Sequence, residues 1–211
     1  MTVQLYAIPF ACSLAAHLAL REGGIPFDIT WVSRDPNSEG RRALAAVEPK
    51  GKVAVLVTSD GRVISENAAV LHYIERVGTW ADAPDLDAQL ARLAWLSYIG
   101  TELHKQVLAT HFDFAAPQVS KADVVARHLP RVLAHLDATL ARTPFLTGQG
   151  LTVADTYLFW ALVLVPQLGV RRSAYPALAR FWGALNERPS VVQTLAAERE
   201  AYERTKDDAA S

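Results

Sequence analysis

Val3-Gln4-Leu5-Tyr6-Ala7-Ile8, then Pro9-Phe10-Ala11-Cys12, then Ser13-Leu14-Ala15-Ala16-His17-Leu18-Ala19-Leu20-Arg21-Glu22 is the stretch on which the reading of this chain turns. The first six residues alternate in polarity and read as a strand. From Ser13 the composition changes to Ala, Leu and Arg, good helix formers, and Gly23-Gly24 stops the run. A strand, a short loop and a helix in that order put Cys12 at the start of the helix.

Working outward, Phe27, Ile29 and Trp31 alternate with Asp28, Thr30 and Val32, a second strand. Ser38 to Ala46 predicts a short helix that ends near Pro49 and Gly51. Val53 to Val57 and Arg62 to Ser65 flank Ser59-Asp60-Gly61, a hairpin signal. Ala68 to Arg76 carries apolar residues at helical spacing. The expected order is β-α-β-α-β-β-α over residues 1–78. Asp82, Pro84 and Asp85 read as a linker, and residues 86–205 as an all-helical domain. There Leu86, Leu90, Leu93 and Leu96, then Leu129, Val132, Leu133 and Leu136, follow the helical period. Thr152-Val153-Ala154-Asp155 reads as a capping box with Asp in the place of Glu. Pro166 and Pro189 are expected to close helices. The fold class is α/β followed by all-α.

The 211 residues are long enough for one large domain or two small ones, and the net charge of −1 gives no footprint for nucleic acid or an anionic membrane. With 51% hydrophobic residues the chain is not a disordered one. The longest apolar run, Leu158 to Pro166, is far shorter than the roughly 20 residues of a membrane span. A single cysteine excludes an internal disulfide and a multi-thiolate metal site. A lone thiol and no secretory signal point to the cytoplasm.

Cys12 is the first candidate for chemistry. Amides and dipole at a helix start favour an anion and lower a thiol pKa; the alternative is a small buried hydrophobe. Ser13 either donates to the same anion or caps the helix. Ala15 stands where a second thiol of a dithiol pair would be, so redox work needs a small-molecule thiol. His104-Lys105 either borders a cleft or is an ordinary solvated pair. Glu66-Asn67 opens a helix, where a carboxylate and free amides suit a zwitterion or simply stabilise the helix start. Asp155 is explained by capping. His17, His72, His111, His128 and His135 share no metal-ligand spacing with carboxylates, and no metal is expected.

Pro9-Phe10-Ala11-Cys12-Ser13-Leu14, Leu18-Ala19-Leu20-Arg21-Glu22, Pro49-Lys50-Gly51-Lys52-Val53, Glu66-Asn67 and Glu102-Leu103-His104-Lys105 together form a recognisable pattern. With Leu151 to Phe159 and Glu187-Arg188-Pro189, it resembles the bacterial beta-class glutathione transferases over nearly the whole chain. The resemblance implies a thioredoxin-like N-terminal domain, a helical C-terminal domain, a homodimer and glutathione as co-substrate. It implies that Cys12 faces the glutathione sulfur and can form a mixed disulfide with it, with Ser13 beside it. Val53 matches the residue whose backbone pairs with the cysteinyl unit of glutathione, and Lys52 joins the glutathione-binding set. Glu66 and Asn67 match the pair that holds the γ-glutamyl group. His104 and Lys105 match the pair lining the cleft from the helical domain, with Phe10, Phe112 and Phe114 expected to line the electrophile pocket.

One departure from the family matters, beside Ser97 and Asn67, which sit where relatives often carry other residues. The residue after Val53 is there a cis-proline and here Ala54. Non-prolyl peptide bonds favour trans far more strongly than prolyl ones, so the sequence leaves open a retained cis bond or a rebuilt loop. The function implied is conjugation or reduction of small hydrophobic electrophiles with glutathione. The alternative is a catalytically weak relative that binds apolar ligands or a partner.

Overall fold

The computed structural model describes residues 2–33, 35–80, 85–112 and 118–208. Two compact units are formed. One combines Met1–Trp80 with Arg188–Ser211, and the other is Ala81–Glu187. Asp82 and Pro84 of the expected linker lie outside the described residues.

The first unit is built on β1 (Val3–Ala7), α1 (Ser13–Glu22), β2 (Phe27–Trp31), α2 (Glu39–Val47), β3 (Val55–Val57), β4 (Val63–Ser65) and α3 (Asn67–Val77). These follow the order read from the sequence. The sheet order is β2-β1-β3-β4. β1 runs parallel to β2, with Leu5 opposite Ile29, and antiparallel to β3, with Leu5 opposite Leu56. β3 and β4 form the expected hairpin, Leu56 opposite Ile64. Gly61 supplies the left-handed φ of 83° that its turn requires.

Alternation in β1 sends Val3, Leu5 and Ala7 inward. On one sheet face Val32, Leu44 and Val55 cluster, with Tyr6, Ile8, Val47 and Val53 packed around them. That cluster explains α2, whose Leu44 is its buried contact and whose start is capped by Ser38 accepting from the Arg41 amide. By contrast α1 is buried from Ser13 to Leu20. A helix apolar all round needs cover on every side, and α1 receives it from β1, α3 and a long last helix, α10 (Pro189–Asp208). Pro189 therefore opens a helix instead of closing one. Its missing N–H is harmless in a first turn, where amides have no partner in the helix.

The second unit contains α4 (Leu86–Tyr98), a π-helical continuation Ile99–Ala109, and α5 (Thr110–Phe112). It goes on with α6 (Gln118–Asp123), a π-helical turn Val124–His128 and α7 (Leu129–Leu140). α8 (Val153–Leu164) and α9 (Pro176–Asn186) complete it, and Pro166 sits in a 3₁₀ turn that follows α8. Asp85 caps α4 through the Ala88 amide at 2.8 Å. α8 is buried along almost its whole length and packs on α4, on Ile99–Ala109 and on α9. The capping box at its start forms as expected.

Candidate active site

Cys12 stands at the N-cap of α1 and is buried, 8% exposed. Its Sγ donates to the Val53 carbonyl at 3.2 Å. Its own carbonyl accepts from Asn67 Nδ2 at 3.1 Å. Three segments far apart in sequence, the α1 start, the approach to β3 and the α3 start, thus meet at one residue. The Val53–Ala54 peptide bond is cis, which resolves the choice that Ala54 leaves open.

Ser13 is fully buried, and its hydroxyl faces back along the chain. Oγ donates to the Ile8 carbonyl at 3.1 Å and accepts from the Ile8 amide at 3.2 Å. A hydroxyl has one hydrogen, so in this geometry Ser13 closes the Ile8–Ser13 turn and donates nothing to an anion beside the thiol.

Phe10 and Glu66 are the non-glycine residues with left-handed φ among the described residues, 59° and 71°. Such φ values are costly for side chains with a Cβ and persist where surroundings impose them. For Phe10 the imposing group is Glu198 of α10, fully buried, whose Oε2 accepts the Phe10 amide at 2.7 Å. Glu198 Oε1 lies 2.8 Å from His17 Nδ1, and Arg21 Nε donates to His17 Nε2 at 3.3 Å. Nε2 therefore accepts, and Nδ1 carries the proton given to Glu198. The Phe10 ring stands edge-on to Tyr202, with centroids 6.0 Å apart.

At the N-cap of α3 the Glu66 carboxylate is exposed and accepts from Lys50 Nζ at 2.7 Å. Lys50 also donates to Ser65 Oγ at 3.2 Å. The hydrogen bond to Glu66 holds the Lys50 ammonium above its ordinary pKa. Glu48, hydrogen-bonded to Ser65 and to the Lys50 amide, is held below the usual carboxylate value. Lys52 is exposed and Val53 half-buried. Lys50 was not singled out from the sequence, where it and Lys52 flank Gly51 and look equivalent. The β3–β4 hairpin, by returning Ser65-Glu66 to Lys50, makes the distinction.

In the second unit, His104 is half-buried in the π-helical segment. Its Nδ1 is 2.6 Å from the Tyr157 hydroxyl, and its ring is edge-on to Trp160, 4.7 Å between centroids. Neither aromatic of α8 is signalled by the sequence as a partner of His104, since Tyr157 is 53 residues away. Lys105 is exposed, and Phe112 is 38% exposed with its ring edge-on to His111. Phe114 lies outside the described residues.

Residues 11–77 match the family model of the glutathione S-transferase N-terminal domain, and residues 101–198 that of the C-terminal domain. The chain belongs to the glutathione S-transferase family. It is 33% identical to glutathione S-transferase GstA of Escherichia coli O157:H7, covering 93% of this chain and 98% of that one. Among solved structures, a sphingomonad glutathione S-transferase complexed with glutathione is 34% identical, with a TM-score of 0.85 over 92% of this chain and 98% of that one. The beta-class enzyme of Sphingomonas chungbukensis is also 34% identical, with a TM-score of 0.84 and the same coverage. The expected thioredoxin-like domain followed by a helical domain is therefore the glutathione S-transferase fold, and the resemblance to the bacterial beta class holds. In this family member no helix among the described residues is long and apolar enough to cross a membrane.

Proposed function

We propose that this chain is a glutathione transferase with Cys12 at its thiol site. The observation that carries the reading is the Cys12 thiol, held at the start of α1 by the Val53 carbonyl at 3.2 Å in a chain of this family. An anion next to a helix start is favoured by the unpaired amides and the dipole. A glutathione sulfur at this place is therefore stabilised as thiolate. In conjugation it gives up its proton to solvent and forms the S–C bond to the electrophile, and the leaving group departs with its bonding electrons. The Val53 backbone, with Lys52, receives the cysteinyl unit, and Glu66 with Asn67, through its backbone amide at the α3 start, receives the γ-glutamyl group. His104, oriented by Tyr157, and Lys105 belong to the same assignment, as do Phe10, Phe112 and Phe114 as apolar contacts of the electrophile. Ser13 serves by fixing the turn before Cys12.

The thiol at position 12 also favours a second reaction. Cys12 thiolate attacks a glutathionyl mixed disulfide, takes the glutathionyl group and releases the other thiolate. A second glutathione then attacks the Cys12 disulfide and leaves as oxidised glutathione, restoring Cys12.

The chain is read as a cytoplasmic homodimer. Leu86, Leu90 and Leu93 are 67%, 53% and 41% exposed on one side of α4. Spacing of four and three residues makes them a continuous apolar stripe, and a second copy of this chain is the occupant that the family implies.

Calorimetric titration of glutathione, followed by conjugation of a chlorodinitrobenzene, tests the function. Binding with turnover of the electrophile supports conjugation. Binding without turnover, together with reduction of a glutathionyl disulfide lost in Cys12→Ala, supports the second reaction. Absence of glutathione binding sinks both.

A further inference from the structure

Asn67, the first residue of α3, is 8% exposed, and its side chain turns back toward α1. Nδ2 donates to the Cys12 carbonyl at 3.1 Å, the oxygen that also accepts the Ala15 amide at 3.2 Å. Both acceptor sites of that carbonyl are thus used. At its other end Cys12 is tied through Sγ to the Val53 carbonyl. The neighbouring Ser13 hydroxyl is closed on Ile8. The remaining polar atom of the Asn67 side chain, Oδ1, is buried and has no hydrogen-bond partner among the described residues. Burying an amide with its acceptor unsatisfied is unfavourable, so helix packing alone does not account for asparagine here. What the side chain gains in this place is the bond to Cys12.

We infer that Asn67 is a positioning residue for the Cys12 thiol. Its side chain fixes the Cys12 peptide, and with it the direction of the Cα–Cβ bond that aims Sγ at Val53. The γ-glutamyl group is left to Glu66 and to backbone amides. The inference rests on the reading of Cys12 as the thiol-site residue, and its test is independent of glutathione.

The experiment is the rate of Cys12 alkylation by iodoacetamide, without glutathione, in wild type and Asn67→Ala. Asp137→Ala, which removes the carboxylate that accepts the Ala177 and Leu178 amides at the start of α9 in the second unit, controls for general destabilisation. Losing one buried hydrogen bond frees the Cys12 peptide, and alkylation in Asn67→Ala is expected to quicken about three- to tenfold. Asp137→Ala is expected to react like wild type. An unchanged rate in Asn67→Ala overturns the inference, and so does an equal acceleration in both variants, which marks a merely structural role. Should Asn67→Ala fail to fold, Asn67→Ser gives the same readout, because serine suits a helix start but falls short of the Cys12 carbonyl. Glutathione titration of the wild type is run in parallel. Its failure removes the proposed function while the alkylation rates still decide the role of Asn67.

Discussion

Arg188 and Glu22 are joined by two hydrogen bonds of 2.7 Å each, Nε to Oε1 and a terminal nitrogen to Oε2. Ser190 donates to the same carboxylate. The pair ties the end of α1 to the segment that opens α10. Burial alone would raise the Glu22 carboxyl, but the hydrogen bonds from Arg188 and Ser190 and the Arg188 charge bring it below its ordinary value of 4.5. A depressed acid contributes stability that is present above the unfolded pKa and is lost as pH falls through the folded one. Thermal midpoints of the wild type should therefore drop below about pH 4.5 partly through this group. Arg188→Ala should cost about 1–3 kcal/mol at neutral pH, since it leaves a buried carboxylate without its cation while Arg188 itself is partly solvated. It should also flatten the acid part of the curve. An unchanged midpoint at neutral pH would sink the prediction.

Asp155 titrates with the opposite sign. Burial pushes its carboxyl up to about 6 from 3.8, against hydrogen bonds from the Leu146 amide and from the Thr152 amide and hydroxyl. An acid with a raised folded pKa binds more protons folded than unfolded between those values. Its contribution is full below the unfolded pKa and is lost as pH rises through the folded one. An NMR titration of the labelled Asp155 carboxyl should show a midpoint near 6. A midpoint at or below the ordinary value would refute it. Asp155→Asn keeps one acceptor but turns an amide donor onto amides, and should cost about 2–3 kcal/mol by urea unfolding.

Asp137 of α7 caps a different helix. Its Oδ1 accepts the Ala177 and Leu178 amides at 2.8 and 2.9 Å, in the first turn of α9, where Tyr175 supplies no side-chain cap. Asp137→Ala should lower stability by about 1–2 kcal/mol, and Asp137→Asn by less because an acceptor remains. Urea midpoints of the two variants, in that order, check the assignment; equal losses would count against it.

Leu90→Glu places a charge in the middle of the α4 stripe. If that stripe covers a second copy, light scattering should give twice the chain mass for the wild type and the single-chain mass for the variant. A wild type of single-chain mass would dispose of the idea.

Much of the local structure was legible because its causes are local. Alternation marked β1, the Gly23-Gly24 stop bounded α1, and Thr152-Val153-Ala154-Asp155 announced the start of α8. The position of Cys12 followed from that grammar. Its partners did not. Val53 and Asn67 meet it across 41 and 55 residues, and Phe10 meets Glu198 across 188. Ser13 illustrates a different limit. Its identity fits either an anion donor or a turn lock, and only the direction of its hydroxyl separates the two. Pro189 misled because proline stops a helix from inside but suits its first turn equally well.

The first unit is written in two pieces, with the residues up to Trp80 and those from Arg188 onward separated by the whole second unit. On the ribosome this means that Glu198, which holds the Phe10 amide, is made 188 residues after it. A nascent chain paused after the second unit carries the thiol but lacks the carboxylate that fixes the loop before it. Completion of the thiol loop thus waits until the second unit has been made, and a fragment ending near Trp80 omits part of what shapes it.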